Sequence, residues 1–135
     1  MEINIKKGDQ VSTLQKSFRE AFPYLKLKFY KIPHQHDEGS EDTLIWSAAT
    51  MIDGIRTKYT LDTISIEPQH TAGEVEKAFY DIFGLNVQLF RQAGGIWIQT
   101  IKTDDWTLEK LNEAGEQSTI ETVEEEKDYG LMDDD

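Results

Sequence analysis

The chain has 135 residues, enough for one domain and too few for two ordinary ones; 38% are apolar, and six Phe, five Tyr and three Trp supply material for a core. There is no cysteine, which excludes a disulfide framework, a thiolate metal site and a cysteine nucleophile. The net charge of −12 weighs against general adhesion to nucleic acid or to an anionic membrane.

Ile3 and Ile5 alternate with Asn4 and Lys6, the two-residue period of a half-buried strand, and Gly8-Asp9 breaks it. Val11, Leu14, Phe18, Ala21 and Phe22 follow at helical spacing, with Asp9 or Ser12 as N-cap and Ser12 with Gln15 as a capping box. Pro23 stops that helix. Tyr24 to Lys31 reads as a strand with Leu25, Leu27 and Phe29 on one face and Tyr24, Lys26, Lys28 and Tyr30 on the other. Residues 33–43 are polar and read as a loop, and Thr43 to Thr50 fits either a strand or a short helix.

Leu61 to Glu67 alternates again, up to Pro68. Thr71-Ala-Gly-Glu74 is a capping box, and Val75, Ala78, Phe79, Ile82 and Phe83 continue as an amphipathic helix with Gly84 as its left-handed cap. Leu85 to Gln92 and Ile96 to Lys102 are strands joined by a turn at Ala93-Gly94-Gly95. Asp104 or Asp105 is expected to cap a short last helix carrying Trp106, Leu108 and Leu111, ended by Gly115.

Strand, helix and strand thus occur twice. A shift of 61 residues pairs Ile3 with Ile64, Ile5 with Ile66, Phe18 with Phe79, Phe22 with Phe83, and the breakers Pro23 and Gly84. After the helices the pattern slips by one, because Leu25 and Leu27 fall opposite Asn86 and Gln88. The expected fold is α+β: two pseudo-repeated strand-helix-strand units, about 1–31 and 61–92, with a C-terminal hairpin and short helix. The helices are expected on one face of a shared sheet.

The expected domain is 1–115. Residues 116–135 hold nine acidic side chains and one lysine, a composition expected to stay disordered. Residues 1–31 carry seven basic and three acidic side chains. The start Met1-Glu2-Ile3-Asn4-Ile5 lacks the regions of a signal peptide, and no apolar run approaches the ~20 residues that span a bilayer. The expected location is the cytoplasm.

The stretches Gly84-Leu-Asn-Val-Gln-Leu-Phe-Arg91, Gly94-Gly-Ile-Trp-Ile98 and Thr103-Asp-Asp-Trp-Thr-Leu-Glu109 resemble a group of small uncharacterised bacterial proteins, over residues 64–112. The group has no known activity, so the resemblance implies a family and no site residue.

Three features could carry chemistry. His34, His36 and Asp37, with Glu38, Glu41 and Asp42 near, combine imidazole and carboxylate as a transition metal requires, but they lie in a polar loop that fixes no geometry. Tyr24, Lys26, Lys28 and Tyr30 interleave cations with aromatics, as a phosphate-binding or partner-binding strand does, and also as the wet face of a sheet does. Asp104-Asp105 pairs two carboxylates, which do acid–base work only if one is buried; a helix cap explains them equally. His70, just before a helix, stands no higher.

Phosphate-loop, dinucleotide-fingerprint and nucleophile-elbow motifs are all missing. The reading that fits is a non-enzymatic protein-interaction or regulatory module without cofactor. Its contact residues are expected among Tyr24, Lys26, Lys28, Tyr30, Phe90, Trp97 and Trp106, and an edge strand offers a route to a homo-oligomer. The alternatives are a small-molecule or metal-dependent enzyme using the His34/His36 loop, and a weak anion or nucleic-acid binder through strand 24–31. The acidic tail could bind a basic partner, shield the basic region or keep the protein soluble.

Overall fold

Val11, Leu14 and Phe18 recur at three- and four-residue intervals, and they form the buried stripe of helix α1 (Val11–Ala21). A computed structural model describes residues 1–32 and 44–133 of the chain. Besides α1 it contains strands β1 (Glu2–Asn4), β2 (Leu25–Tyr30), β3 (Thr63–Ser65), β4 (Asn86–Ala93) and β5 (Ile96–Gln99), and helices α2 (Ala72–Ala78) and α3 (Leu108–Asp133). The class is α+β, with helices lying against antiparallel sheets.

The strands form two sheets where one shared sheet was expected. β1 pairs only with β3, Ile3 opposite Ile64, and both strands are three residues long. β2, β4 and β5 form the second sheet with β4 central. Strands related by the 61-residue shift therefore pair with each other, β1 with β3 and β2 with β4. Core-facing Leu27 and Phe29 sit opposite Leu89 and Val87, whereas the shift maps Leu27 onto Gln88, so the one-residue slip is present in the register. It follows a π turn at Phe79–Phe83, which closes one residue later than an α turn.

Between the sheets and helices lies one buried cluster that includes Ile3, Val11, Leu14, Phe18, Leu25, Leu27, Phe29, Ile64, Phe79, Phe83, Val87, Leu89, Leu108 and Leu111. Phe79 meets Phe29 and Phe83 edge-on at centroid distances of 5.9 Å.

The helix ends test the sequence reading in detail. At α2 the capping box is formed: Glu74 N–H donates to Thr71 Oγ1 and Thr71 N–H donates to Glu74 Oε1, both at 3.1 Å. Gly84 ends the π turn with φ 65°, and a Cβ there would stand 1.8 Å from Thr57 Oγ1. At α1 the N-cap is Gln10, whose N–H donates to Thr13 Oγ1 at 3.0 Å. Asp9 instead takes the Lys6 N–H and closes the preceding turn, which corrects both expected caps.

The start of α3 is capped by Thr107, whose Oγ1 accepts the Lys110 N–H at 3.2 Å, and not by Asp104 or Asp105. The helix also does not stop at Gly115. It runs on through Asp133, into the segment expected to be disordered. Gly115 serves close approach: a Cβ would lie 2.8 Å from Tyr24 Cβ and 3.1 Å from Tyr24 O. Beyond it, Ser118 Oγ donates to Gln92 O and accepts the Gly94 N–H, which ties the helix to the β4–β5 turn. Among the described residues, no helix is long and apolar enough to cross a membrane.

Candidate functional site

β2 alternates so that Leu25, Leu27 and Phe29 enter the core while Lys26 and Lys28 stand half-buried on the other face. Register places Lys26 directly opposite Phe90 of β4, and Trp97 of β5 opposite Gln92, the next β4 residue on the same face. The four side chains meet there. Lys26 Nζ lies 4.6 Å from the Trp97 ring centroid and 6.0 Å from that of Phe90, and Lys28 Nζ lies 4.5 Å from Phe90. Helix α1 adds a third cation, Arg19, with Cζ 4.8 Å from the Trp97 centroid. The helix is pinned beside the strand by Gln15, whose Nε2 donates to Leu27 O at 2.9 Å.

Between α1 and β2 opens a cleft of about 550 Å³ lined by Gln15, Lys16, Arg19, Glu20, Lys26, Leu27 and Lys28. Four of those side chains are cationic and one is acidic. Partial burial, then the neighbouring charges of Lys28 and Arg19, hold the Lys26 pKa below its ordinary value. Cations at this density are electrostatically unfavourable alone, and the aromatic faces beneath offset part of that cost at about 0.5–2 kcal/mol each. Such an arrangement can bind an anion without desolvating a bare charge.

The remaining sequence candidates lie elsewhere. Tyr24 sits at the α3 junction, where its N–H donates to Asn112 Oδ1. Tyr30 was expected on the exposed face but is only 1% exposed. It bridges to Ile45, and Trp46 N–H bonds Phe29 O, so the segment 44–46 borders the end of β2. Phe90 is likewise only 5% exposed, with Lys26 and Lys28 above its ring. Trp106 packs against the core beneath Lys110, at the start of α3. The structure thus brings together Lys26, Lys28, Phe90 and Trp97, and not Tyr24, Tyr30 or Trp106. Sequence reading missed Lys16 and Arg19, because nothing local says that the end of α1 lies beside β2.

His34, His36 and Asp37 lie outside the described residues. Among the described residues, no group of three or more His, Cys, Asp or Glu side chains is placed to hold a metal ion. His70 Nδ1 accepts the Glu67 N–H and closes the turn before α2.

Asp104 does have a carboxyl partner, but it is Glu76 rather than the exposed Asp105. Glu76 is 8% exposed. Its Oε2 accepts the Leu89 N–H at 2.9 Å and Gln88 Nε2 at 3.1 Å, next to where β5 ends. Its pKa is pushed up to about 8, by burial above all and by the Asp104 charge and hydrogen bond, against the pull of the Leu89 N–H. The sequence held a signal: Glu76 falls between Val75 and Phe79 on the buried stripe of α2.

No protein-family model matches the chain, and neither does any curated protein or solved structure.

Proposed function

We propose that the chain is a non-enzymatic interaction module whose cleft between α1 and β2 holds a carboxylate-rich segment of a protein partner. The observation that carries this reading is the convergence of Arg19, Lys26 and Lys28 on the rings of Trp97 and Phe90 at 4.5–6.0 Å, beside a cleft with a single acid. A partner carboxylate there gains charge-assisted hydrogen bonds from side chains that are already held in place.

Nucleic acid is the weaker reading of the same surface. Single-stranded binding depends on aromatic faces open to stacked bases. Here the Phe90 ring is buried under two lysines, and Trp97 is approached by Arg19 and Lys26. The enzymatic alternative draws no support from the acid pair, because the Glu76 carboxyl is buried and already engaged by Leu89 and Gln88.

Titration calorimetry with a short oligoglutamate peptide tests the proposal. Binding should weaken as salt rises, and Lys26→Ala with Lys28→Ala together should reduce affinity about tenfold, the equivalent of ~1.4 kcal/mol. Arg19→Ala should weaken it less. Affinity unchanged in the double variant would refute the assignment of the cleft.

A further inference from the structure

One wall of the cleft is a strand edge. β2 is the outer strand of its sheet, with β4 on one side. The Gln92 N–H donates to Tyr24 O, so Tyr24, Lys26 and Lys28 turn their main-chain groups toward β4, and Leu25, Leu27 and Phe29 turn theirs toward the cleft side. The groups on that edge are used unevenly. The Leu25 N–H donates to Phe22 O, and Phe29 O accepts the Trp46 N–H. Between them, Leu27 O accepts from Gln15 Nε2 at 2.9 Å, and no described residue accepts the Leu27 N–H. Leu27 is fully buried. A buried main-chain donor without an acceptor is rare and costly.

The chain begins to cover this edge and then leaves it. Segment 44–46 runs antiparallel beside the end of β2, with Tyr30 bridged to Ile45 and the Lys31 N–H on Leu44 O. Past Trp46 it departs, and Ala48 O accepts the Ser12 N–H at the start of α1. Beside Leu27, the place of an antiparallel neighbour is held by a side chain. Gln15 lies half-buried on the α1 wall, and its carboxamide gives Leu27 O the bond that a peptide N–H would give. Rotating it aside frees both main-chain groups of Leu27, while Val11, Leu14 and Phe18 keep α1 in the core.

The charges say what an added strand would carry. A residue bonded to Leu27 has its two chain neighbours opposite Lys26 and Lys28, with their side chains on the same face as those cations. Acids at alternate positions therefore meet one lysine each, whereas of two consecutive acids one points to the other face. Lys16 and Arg19 on the α1 wall add positive charge, against the single acid Glu20.

We propose that the partner segment binds as an antiparallel β-strand added at Leu27, displacing Gln15 and setting acids at alternate positions against Lys26 and Lys28. This binding mode rests on the cleft being a carboxylate site, and it adds the ligand's conformation and sequence pattern.

Titration calorimetry with capped five-residue peptides tests it. The parent peptide alternates (Thr-Glu-Thr-Glu-Thr), and an isomer of equal charge has its acids adjacent (Thr-Glu-Glu-Thr-Thr). The parent should bind up to about fivefold tighter. N-methylation of its central threonine removes the N–H aimed at Leu27 O and should weaken binding about tenfold. N-methylation of the glutamate that follows, whose N–H points away from β2, should change affinity by less than about twofold. Equal affinity of the two isomers, or of the two N-methylated peptides, overturns the strand mode. If oligoglutamate binding still depends on Lys26 and Lys28 in that case, the cleft reading stands and only the mode falls; loss of that dependence removes both. Sedimentation equilibrium on the full chain checks the other occupant. Self-association that the parent peptide abolishes would make a second copy the added strand and overturn the assignment to a separate partner.

Discussion

Glu76→Gln isolates the energetic consequence of the buried acid pair. The Glu76 carboxyl has a pKa of about 8 in the folded chain against 4.5 for an ordinary glutamate. Because the folded value is the higher one, the folded state binds the proton more tightly. Stability from this group is fully present below pH 4.5 and is lost as pH rises through about 8. The difference between the two values corresponds to an upper bound near 5 kcal/mol, of which ~3 kcal/mol is already lost at pH 7. Glu76 is nearly buried, so solvent screening removes little of this.

Glutamine reproduces the protonated acid. Its Oε1 can keep the Leu89 N–H bond, its amide can donate toward Asp104, and it cannot ionise. Urea unfolding across pH 5 to 9 should therefore show the wild type losing several kcal/mol relative to the variant, with E76Q more stable by ~3 kcal/mol near pH 7. Glu76→Ala should go the other way, because it strands the Leu89 N–H at about 1–3 kcal/mol and leaves the Gln88 amide with Leu89 O alone. Wild-type and E76Q profiles that run parallel over this range would refute the raised pKa and the account built on it.

Two glycines give separate tests of the backbone. Gly84→Ala should destabilise by more than 2 kcal/mol, since it puts a side chain at φ 65° and drives its Cβ into Thr57 Oγ1. Gly115→Ala in a helix free of contacts would stabilise by about 1 kcal/mol through helix propensity. Packed 2.8 Å from Tyr24 Cβ, the added methyl should instead cost a net ~1–2 kcal/mol in the same urea assay, and a stabilised variant would mean that α3 does not lie this close to Tyr24.

What was legible in the sequence was what depends on near neighbours. The Thr71/Glu74 box, the Gly84 cap, the Gly94 turn and the alternation of β2 all act within a few residues, and all are present. The misreadings share a cause. Gly115 reads as a helix end because glycine serves both as a cap and as a gap for another element, and only Tyr24, about ninety residues away in sequence, distinguishes the two. Parity puts Tyr30 on the exposed face, and the segment bridging at Ile45 reverses that. For the candidate site, Lys26, Lys28, Phe90 and Trp97 were identified as residue types but not as one cluster. Their meeting depends on a register and on an α1 position that local pattern does not encode.

The same register joins the acid pair to the cleft. β4 sends Leu89 into the core and the next residue, Phe90, toward Lys26 and Lys28, while Glu76 holds the Leu89 N–H beside the end of β5. Ionising Glu76 buries an unfavourable charge next to β4, the strand whose Phe90 and Gln88 pair with Lys26 and Lys28 of the cleft. Oligoglutamate affinity should therefore fall as pH rises past about 8 in the wild type. Deprotonation of Lys26, whose pKa is lowered by burial and by its cationic neighbours, adds a fall of the same sign. E76Q separates the two by calorimetry across pH: it removes the first contribution and leaves the second. An identical decline in wild type and E76Q would assign the whole effect to the lysine and uncouple the acid pair from the cleft.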